Sequence, residues 1–179
     1  MKIKDNSDLF NECKDAFRLE TLSVYSIPEE EKYLQLYYDG KPLPPQECCM
    51  TEWHTMLTKA KERGASFKRL RSLPESFNNY IRAEIEWGYI YNAEFGENIR
   101  MITPSLIKEK VSKEKLVDFW IFDNASVLLM NYDTEGHFLG SNLVDDFREV
   151  DKYIKIKELL WPLGQKLEDF LKEYRAKKY

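Results

Sequence analysis

The sequence predicts a single α/β domain built on a mixed central sheet, and three observations carry that prediction. Helical and strand-like hydrophobic periodicities alternate through the first half of the chain. Later, apolar runs cluster between Asp118 and Leu143 as an antiparallel meander. No internal repeat and no low-complexity linker divides the 179 residues, a length that suits one core better than two.

Taken in order, residues 7–17 (SDLFNECKDAF) place Leu9, Phe10, Cys13, Ala16 and Phe17 at helical spacing, with Ser7 or Asp8 as N-cap. The next run, RLETLSVYSI, alternates Leu19, Thr21, Ser23 and Tyr25 against Leu22, Val24 and Ser26, so a short strand is expected there, ended by Pro28. EEEKYLQLYYDGKPLPPQE starts as a helical turn and is expected to dissolve into a loop, because Gly40, Pro42, Pro44 and Pro45 interrupt regular structure. Thr51 then caps a helix through residue 63, with Trp53, Met56, Leu57 and Ala60 on one face and Gly64 as its stop.

SFKRLRSL alternates as a strand, and a helix follows from Ser76 to about Asn92 through Phe77, Tyr80, Ile81, Ile85, Tyr89 and Ile90. After Gly96, ENIRMI reads as another strand, and the polar segment 103–116 as a surface connection. DFWIFD, SVLLMNYD and the run after TEGHFLG form the meander, with turn chemistry at Asp123-Asn124 and Glu135-Gly136. A long amphipathic helix begins near Asp145 and Asp146, and Pro162 should kink or split it.

Composition narrows the function. Hydrophobic residues make up 43% and aromatic residues 14%, enough for a core, while charged residues of both signs reach 32%. A net charge of −4 argues against a dedicated nucleic-acid binder, which carries a basic face. No apolar run approaches the roughly 18–20 residues that span a bilayer, and MKIKDNSDLF lacks the apolar core of a secretion signal. Three cysteines, Cys13, Cys48 and Cys49, make a poor disulfide framework and fit a reducing cytoplasm.

Well-marked chemistry is missing. His54 and His137 have no second ligand at helical spacing, Cys48-Cys49 lacks the separation of a zinc knuckle, and the seven glycines form no phosphate loop. No metal and no cofactor is therefore expected. One constellation stands out: Arg69 and Arg71 share a strand face, Arg18 and Glu20 do so on the first strand, and Tyr80, Arg82 and Glu84 open the following helix. Such a set can recognise an anionic or planar ligand, since the guanidinium fork binds an oxyanion through two parallel hydrogen bonds. Arg–Glu pairs on adjacent elements are, however, more often structural ion pairs or solvated faces. Trp120, in a central strand, reads as core, and Asp118 and Asp123 read as turn residues on opposite faces.

The blocks FRLETLSVYSIPEE, Trp53, GASFKRLRSLPESFNNYIRAEIE, GENIR and DFWIFDNASVLLMNYDTEGHFLG resemble a bacterial domain family of unassigned function. That family is common in actinobacteria and often encoded beside helix-turn-helix regulators. The resemblance runs from about Phe10 to Trp161 and matches Arg18, Glu20, Tyr25, Arg69, Arg71, Pro74, Tyr80, Arg82, Glu84, Glu97, Asp118, Trp120 and Asp123. It adds Tyr25, Trp120 and Asp123 to the candidate ligand-binding residues. The ending, where the meander leads into a helix with Leu160-Trp161, also looks like phospholipase D-like sensor domains of some transcription regulators. Active members of that superfamily carry a His-x-Lys motif; here His54 is followed by Thr55-Met56 and His137 by Phe138-Leu139, so neither can serve.

The reading that results is a non-catalytic regulatory or ligand-sensing domain acting with a partner such as a transcription regulator, with no direct nucleic-acid or membrane contact. Two alternatives stay open: a protein-interaction module that forms a homodimer through its C-terminal helix, and a hydrolase using Glu84 or Glu20 as base. Alanine at both Arg69 and Arg71 is expected to abolish ligand binding and leave the fold intact.

Overall fold

A computed structural model describes residues 6–42, 44, 51–111 and 117–178. The helices are α1 (Asn6–Glu12), α2 (Pro28–Tyr38), α3 (Glu52–Glu62), α4 (Asn79–Ala83 continuing through Glu84–Gly88 and Tyr89–Glu94), α5 (Pro104–Lys110), α6 (Phe147–Leu160) and α7 (Leu167–Lys178). The strands are β1 (Asp15–Glu20), β2 (Ser66–Ser72), β3 (Glu97–Ile102), β4 (Asp118–Phe122), β5 (Ser126–Tyr132), β6 (Phe138–Val144) and the two-residue β7 (Gln165–Lys166). The adjacent pair Cys48 and Cys49 lies outside the described residues.

All seven strands join one mixed sheet in the order β6-β5-β4-β1-β2-β3-β7. β1, β2 and β3 run parallel, which requires the helical crossovers α2–α3 and α4, whereas β4, β5 and β6 form the expected antiparallel meander. Its first turn places Asp123 and Asn124 both at φ 53, the left-handed region that these two residue types tolerate best.

One face of the sheet is apolar at its centre, with Asp15, Lys68 and Arg100 at its margin. Phe17, Leu19, Leu70, Phe119, Ile121 and Val127 pack there against Ile107 of α5 and Val150, Ile156 and Leu160 of α6. Each such side chain, fully buried, contributes roughly 1.5–3 kcal/mol. The opposite face carries two separate apolar clusters. Ala16, Phe67, Trp120 and Phe122 meet Leu57 and Ala60 of α3, while Tyr25, Ile99 and Met101 meet Tyr80, Ile81, Ile85 and Tyr89 of α4.

Several expectations hold: the Thr51 cap accepts from the backbone of His54, Gly64 stops α3 at φ +77, and Pro162 splits the C-terminal helix. Others shift. The helix expected over 7–17 ends at Glu12, because Ala16 and Phe17 are buried on opposite faces of β1 and satisfy both periodicities. The strand expected through Ser26 ends at Glu20, where the Asp118 carboxylate takes the Thr21 N–H at 2.9 Å and turns the chain out of the sheet. Pro28 opens a helix rather than ending a strand, since its fixed φ suits the first helical position, and α2 continues for 11 residues instead of fraying after one turn. The polar segment after Ile102 contains α5, started by the Thr103 side chain and Pro104.

Candidate functional site

Strand alternation decides which side chains meet. In the parallel pair β1–β2, Arg18 lies opposite Arg69 and Glu20 opposite Arg71, and Arg18 is also opposite Trp120 of β4. All point to the face that carries two apolar clusters, so the charges form a layer between them. Glu97 joins from β3, Tyr132 from β5, and Glu30 and Glu84 from α2 and α4.

Arg69 is fully committed. Its Nε donates to Glu97 Oε1 at 2.8 Å and its Nη1 to Glu20 Oε1 at 2.6 Å. Arg18 holds the other side of the same oxygen, with Nε 2.7 Å from Glu20 Oε1, and donates from Nη2 to Tyr132 Oη at 3.1 Å. The Arg18 Nε contact is an ion pair without hydrogen-bond alignment, as that N–H points past the oxygen. Burial opposes a charged Glu20, yet the guanidinium groups of Arg18, Arg69 and Arg71 outweigh it and hold the carboxyl down at about 2.

Arg71 differs. It is fully buried, at 0% exposure, and its Nη1 donates to the Leu22 carbonyl at 2.5 Å. Its Nε and Nη2 have no hydrogen-bond partner among the described residues. The guanidinium carbon stands 5.0 Å from the centre of the Tyr25 ring. A buried donor left unsatisfied costs roughly 1–3 kcal/mol, more when charged, so two on one side chain call for an explanation.

Two acids facing the layer resist ionisation. Burial, then the charge of Glu20, pushes Glu84 up to about 7; burial, then the charge of Glu84, pushes Glu30 up to about 8. The phenols of Tyr25 and Tyr89 are held well above their ordinary range, mainly by burial, and remain neutral donors. Tyr25 gives its proton to a short hydrogen bond with Asp118 Oδ2, while Asp118 Oδ1 takes Thr21 Oγ1 at 2.6 Å.

Of the ten candidate ligand-binding residues, Arg18, Glu20, Tyr25, Arg69, Arg71, Tyr80 and Glu84 gather in or beside this layer. Trp120 forms its floor: it is 1% exposed, stacks on Phe122 and lies 5.1 Å beneath the Arg18 guanidinium, as its core reading requires. Arg82 is half-buried and its charge bears on Tyr37. Asp123 stands apart, in the β4–β5 turn, where Oδ1 accepts the backbone N–H groups of Lys14 and Asp15 at 2.8 Å. Asp118 is no turn residue; it is buried and anchors Tyr25 and Thr21. Glu30 and Tyr132 escaped the sequence reading. Tyr132 shares the alternation of Leu128 and Met130, a signal that was present; Glu30 sat in a segment expected to fray.

The expected tolerance of alanine at Arg69 does not fit these contacts, because removing it would leave Glu97 without its ion-pair partner and Glu20 with Arg18 alone.

The sequence model of a family described as a domain of unknown function (DUF6879) matches residues 4–172. The chain belongs to that family. The match spans the charged layer from Arg18 to Tyr132 and every described strand of the sheet, so the layer lies wholly within the DUF6879 domain. Among proteins of curated function no match is found.

In this DUF6879 domain both histidines have structural work. His54 closes the α3 capping box and places Nε2 2.9 Å from Asn92 Oδ1, and His137 sits 2.9 Å from Asp133 Oδ2. Among the described residues no group of His, Cys, Asp and Glu is arranged to hold a metal ion, and no helix is long and apolar enough to cross a membrane. Two surface grooves, one against Phe147 and Ile154 and one against Lys157 and Trp161, lie on the far face of the sheet from the arginines.

Proposed function

We propose that this domain is a non-catalytic sensor that binds a small anionic ligand in the charged layer beneath α2 and signals occupancy to a partner protein such as a transcription regulator. The observation that carries the ligand is Arg71, a fully buried guanidinium with two N–H groups left without a partner. Arg69 serves the structure by pairing Glu20 with Glu97; Arg71 is the cation left over. The partner rests on the family resemblance alone.

The test is a thermal-shift screen of inorganic phosphate, sulfate and small carboxylates against the wild type and Arg71→Lys. Lysine keeps a charge and a donor for the Leu22 carbonyl but loses the fork. A ligand at a hundredfold excess over its Kd adds about 2.7 kcal/mol to folding stability. A rise in melting temperature that Arg71→Lys abolishes supports the reading; a rise unchanged in the variant overturns the site.

A second reading, a hydrolase with Glu84 as base, is favoured by one observation, the carboxyl held near 7 where a base must exchange protons. Turnover of simple ester or phosphodiester substrates that Glu84→Gln abolishes would decide for it.

A further inference from the structure

The unpartnered atoms of Arg71 are Nε and Nη2. These two nitrogens share one edge of the guanidinium, and their N–H bonds run parallel, the geometry that takes both oxygens of a single oxyanion. The third nitrogen is tied back to the Leu22 carbonyl, which fixes the plane of the group and aims the free edge. A fixed, buried fork with no partner among the described residues is more specific than a general positive patch.

Resting on the anion-sensing reading above, we infer that the ligand class is an organic monocarboxylate gripped side-on by Arg71. The count of open forks sets the monoanion. Arg18 and Arg69 are committed to Glu20 and Glu97, which leaves one guanidinium uncommitted. One open fork takes one carboxylate, whereas a phosphate group brings roughly −1.5 to −2 into a layer that already holds the buried carboxyl of Asp118 and has no second open fork. The surroundings set the organic body: the ring of Tyr25 stands 5.0 Å from the guanidinium, and Ile81, Tyr89 and Met101 belong to the same apolar cluster.

Access follows from the same contacts. Arg71 has no exposure, so the ligand enters when α2 lifts from the sheet while Leu22 keeps its bond to Arg71. Residues 21–25 stay anchored through Thr21 and Tyr25 to Asp118 and through Leu22 to Arg71, whereas beyond them Ile27 is exposed and α2 begins without a side-chain cap.

Glu84 competes with the ligand. Facing it are Glu20 from β1, Arg69 and Arg71 from β2, Glu30 and Tyr38 from α2, and Tyr80 and Tyr89 from its own helix. Protonated, Glu84 leaves Arg71 free and can donate to the bound carboxylate. Ionised, it takes up the charge of Arg71 itself. Carboxylate affinity therefore falls as pH rises through about 7.

The experiment is a ¹H–¹⁵N spectrum of the arginine Nε–H groups of the whole chain, with the Arg71 resonance assigned by its loss in Arg71→Lys. Acetate, benzoate and inorganic phosphate are titrated separately at pH 6 and pH 9. The expected result is a shift of the Arg71 signal by a carboxylate at pH 6, at least about tenfold weaker binding at pH 9, and restored binding at pH 9 in Glu84→Gln. Phosphate moving Arg71 while both carboxylates leave it unmoved overturns the ligand class and leaves anion sensing standing. Silence from all three probes overturns both. If Glu84→Gln does not fold, the pH dependence of the wild type decides alone, and pH-independent carboxylate binding sinks the role of Glu84.

Discussion

Replacing Arg69 by methionine removes the cation that Glu20 and Glu97 share and leaves both carboxyl groups buried. Breaking one side of a buried pair costs roughly 3–5 kcal/mol, and urea unfolding of Arg69→Met is expected to show a loss of that size. Arg71→Lys, two residues along the same strand, is expected to stay within about 1 kcal/mol of wild type, because the N–H groups it removes had no partner. A third residue sets the response to pH. Glu84 in the folded state lies near 7, above the ordinary carboxyl value, so the native state holds the proton more tightly. Its stabilising contribution is complete below the unfolded value and is lost as pH rises through about 7. Unfolding at pH 5 and pH 8.5 should therefore show Glu84→Gln gaining on the wild type by about 2 kcal/mol at the higher pH, a figure discounted for the partial exposure of Glu84. Glu20 works the other way, in a separate window: held at about 2, it adds stability above the ordinary carboxyl range that is lost as pH falls toward 2. No gain for Glu84→Gln at pH 8.5 would show that Glu84 ionises normally.

Among the elements, α4 and α2 frame the charged layer. The middle turn of α4, Glu84–Gly88, is a π-helical insertion, a feature that concentrates at functional sites because it re-aims one side chain. Here it brings Glu84 Oε1 to 3.0 Å from where a β-carbon on Gly88 would stand. Gly88→Ala offers up to about 1 kcal/mol of helix propensity but must push the Glu84 carboxyl aside, so the carboxylate-binding pH profile should move even if stability does not fall. α2 starts without a side-chain cap: Ile27 has an extended backbone and nothing to offer the first N–H groups. Ile27→Asp supplies the missing acceptor and should slow hydrogen exchange in α2 by an amount equivalent to about 1 kcal/mol. If α2 must lift for entry, the same change slows ligand association. The sequence showed some of these elements and hid others for identifiable reasons. β2, β3 and the meander were legible because strict alternation ended at turn residues. α2 was hidden because its inner side is built from Tyr33, Leu34 and Tyr37 around an acid, with Tyr33 and Tyr37 edge-on to Trp87, and so has no plain apolar stripe. In the site, the two-residue spacing of the arginines was visible. Which arginine would be satisfied was not, since Glu97, Asp118 and Tyr132 arrive from strands far along the chain.

For the whole molecule, the sheet ends at one side in β6, whose residues 138–144 carry no charge and, among the described strands, pair only with β5. Leu139 is 67% exposed there, Phe138 and Leu143 are exposed beside it, and Phe147 follows at 73%. The homodimer anticipated through the C-terminal helix finds no continuous apolar stripe on α6, where Phe147 and Leu159 lie at opposite ends. The uncharged edge is the surface that would self-associate, as an unprotected strand does. Sedimentation velocity is expected to show association of the wild type that grows with concentration and disappears in Leu139→Lys; a strictly monomeric wild type would refute it. The ion-pair chain from Glu20 through Arg69 to Glu97 also bears on how the protein folds. Its members sit on three parallel strands separated by two helical crossovers, so no two of them meet until long loops have closed. Their water is expected to be given up only when all three strands are in place, late on the folding path. Weakening that chain should therefore hasten unfolding and leave the refolding rate almost unchanged, with φ-values near zero along it.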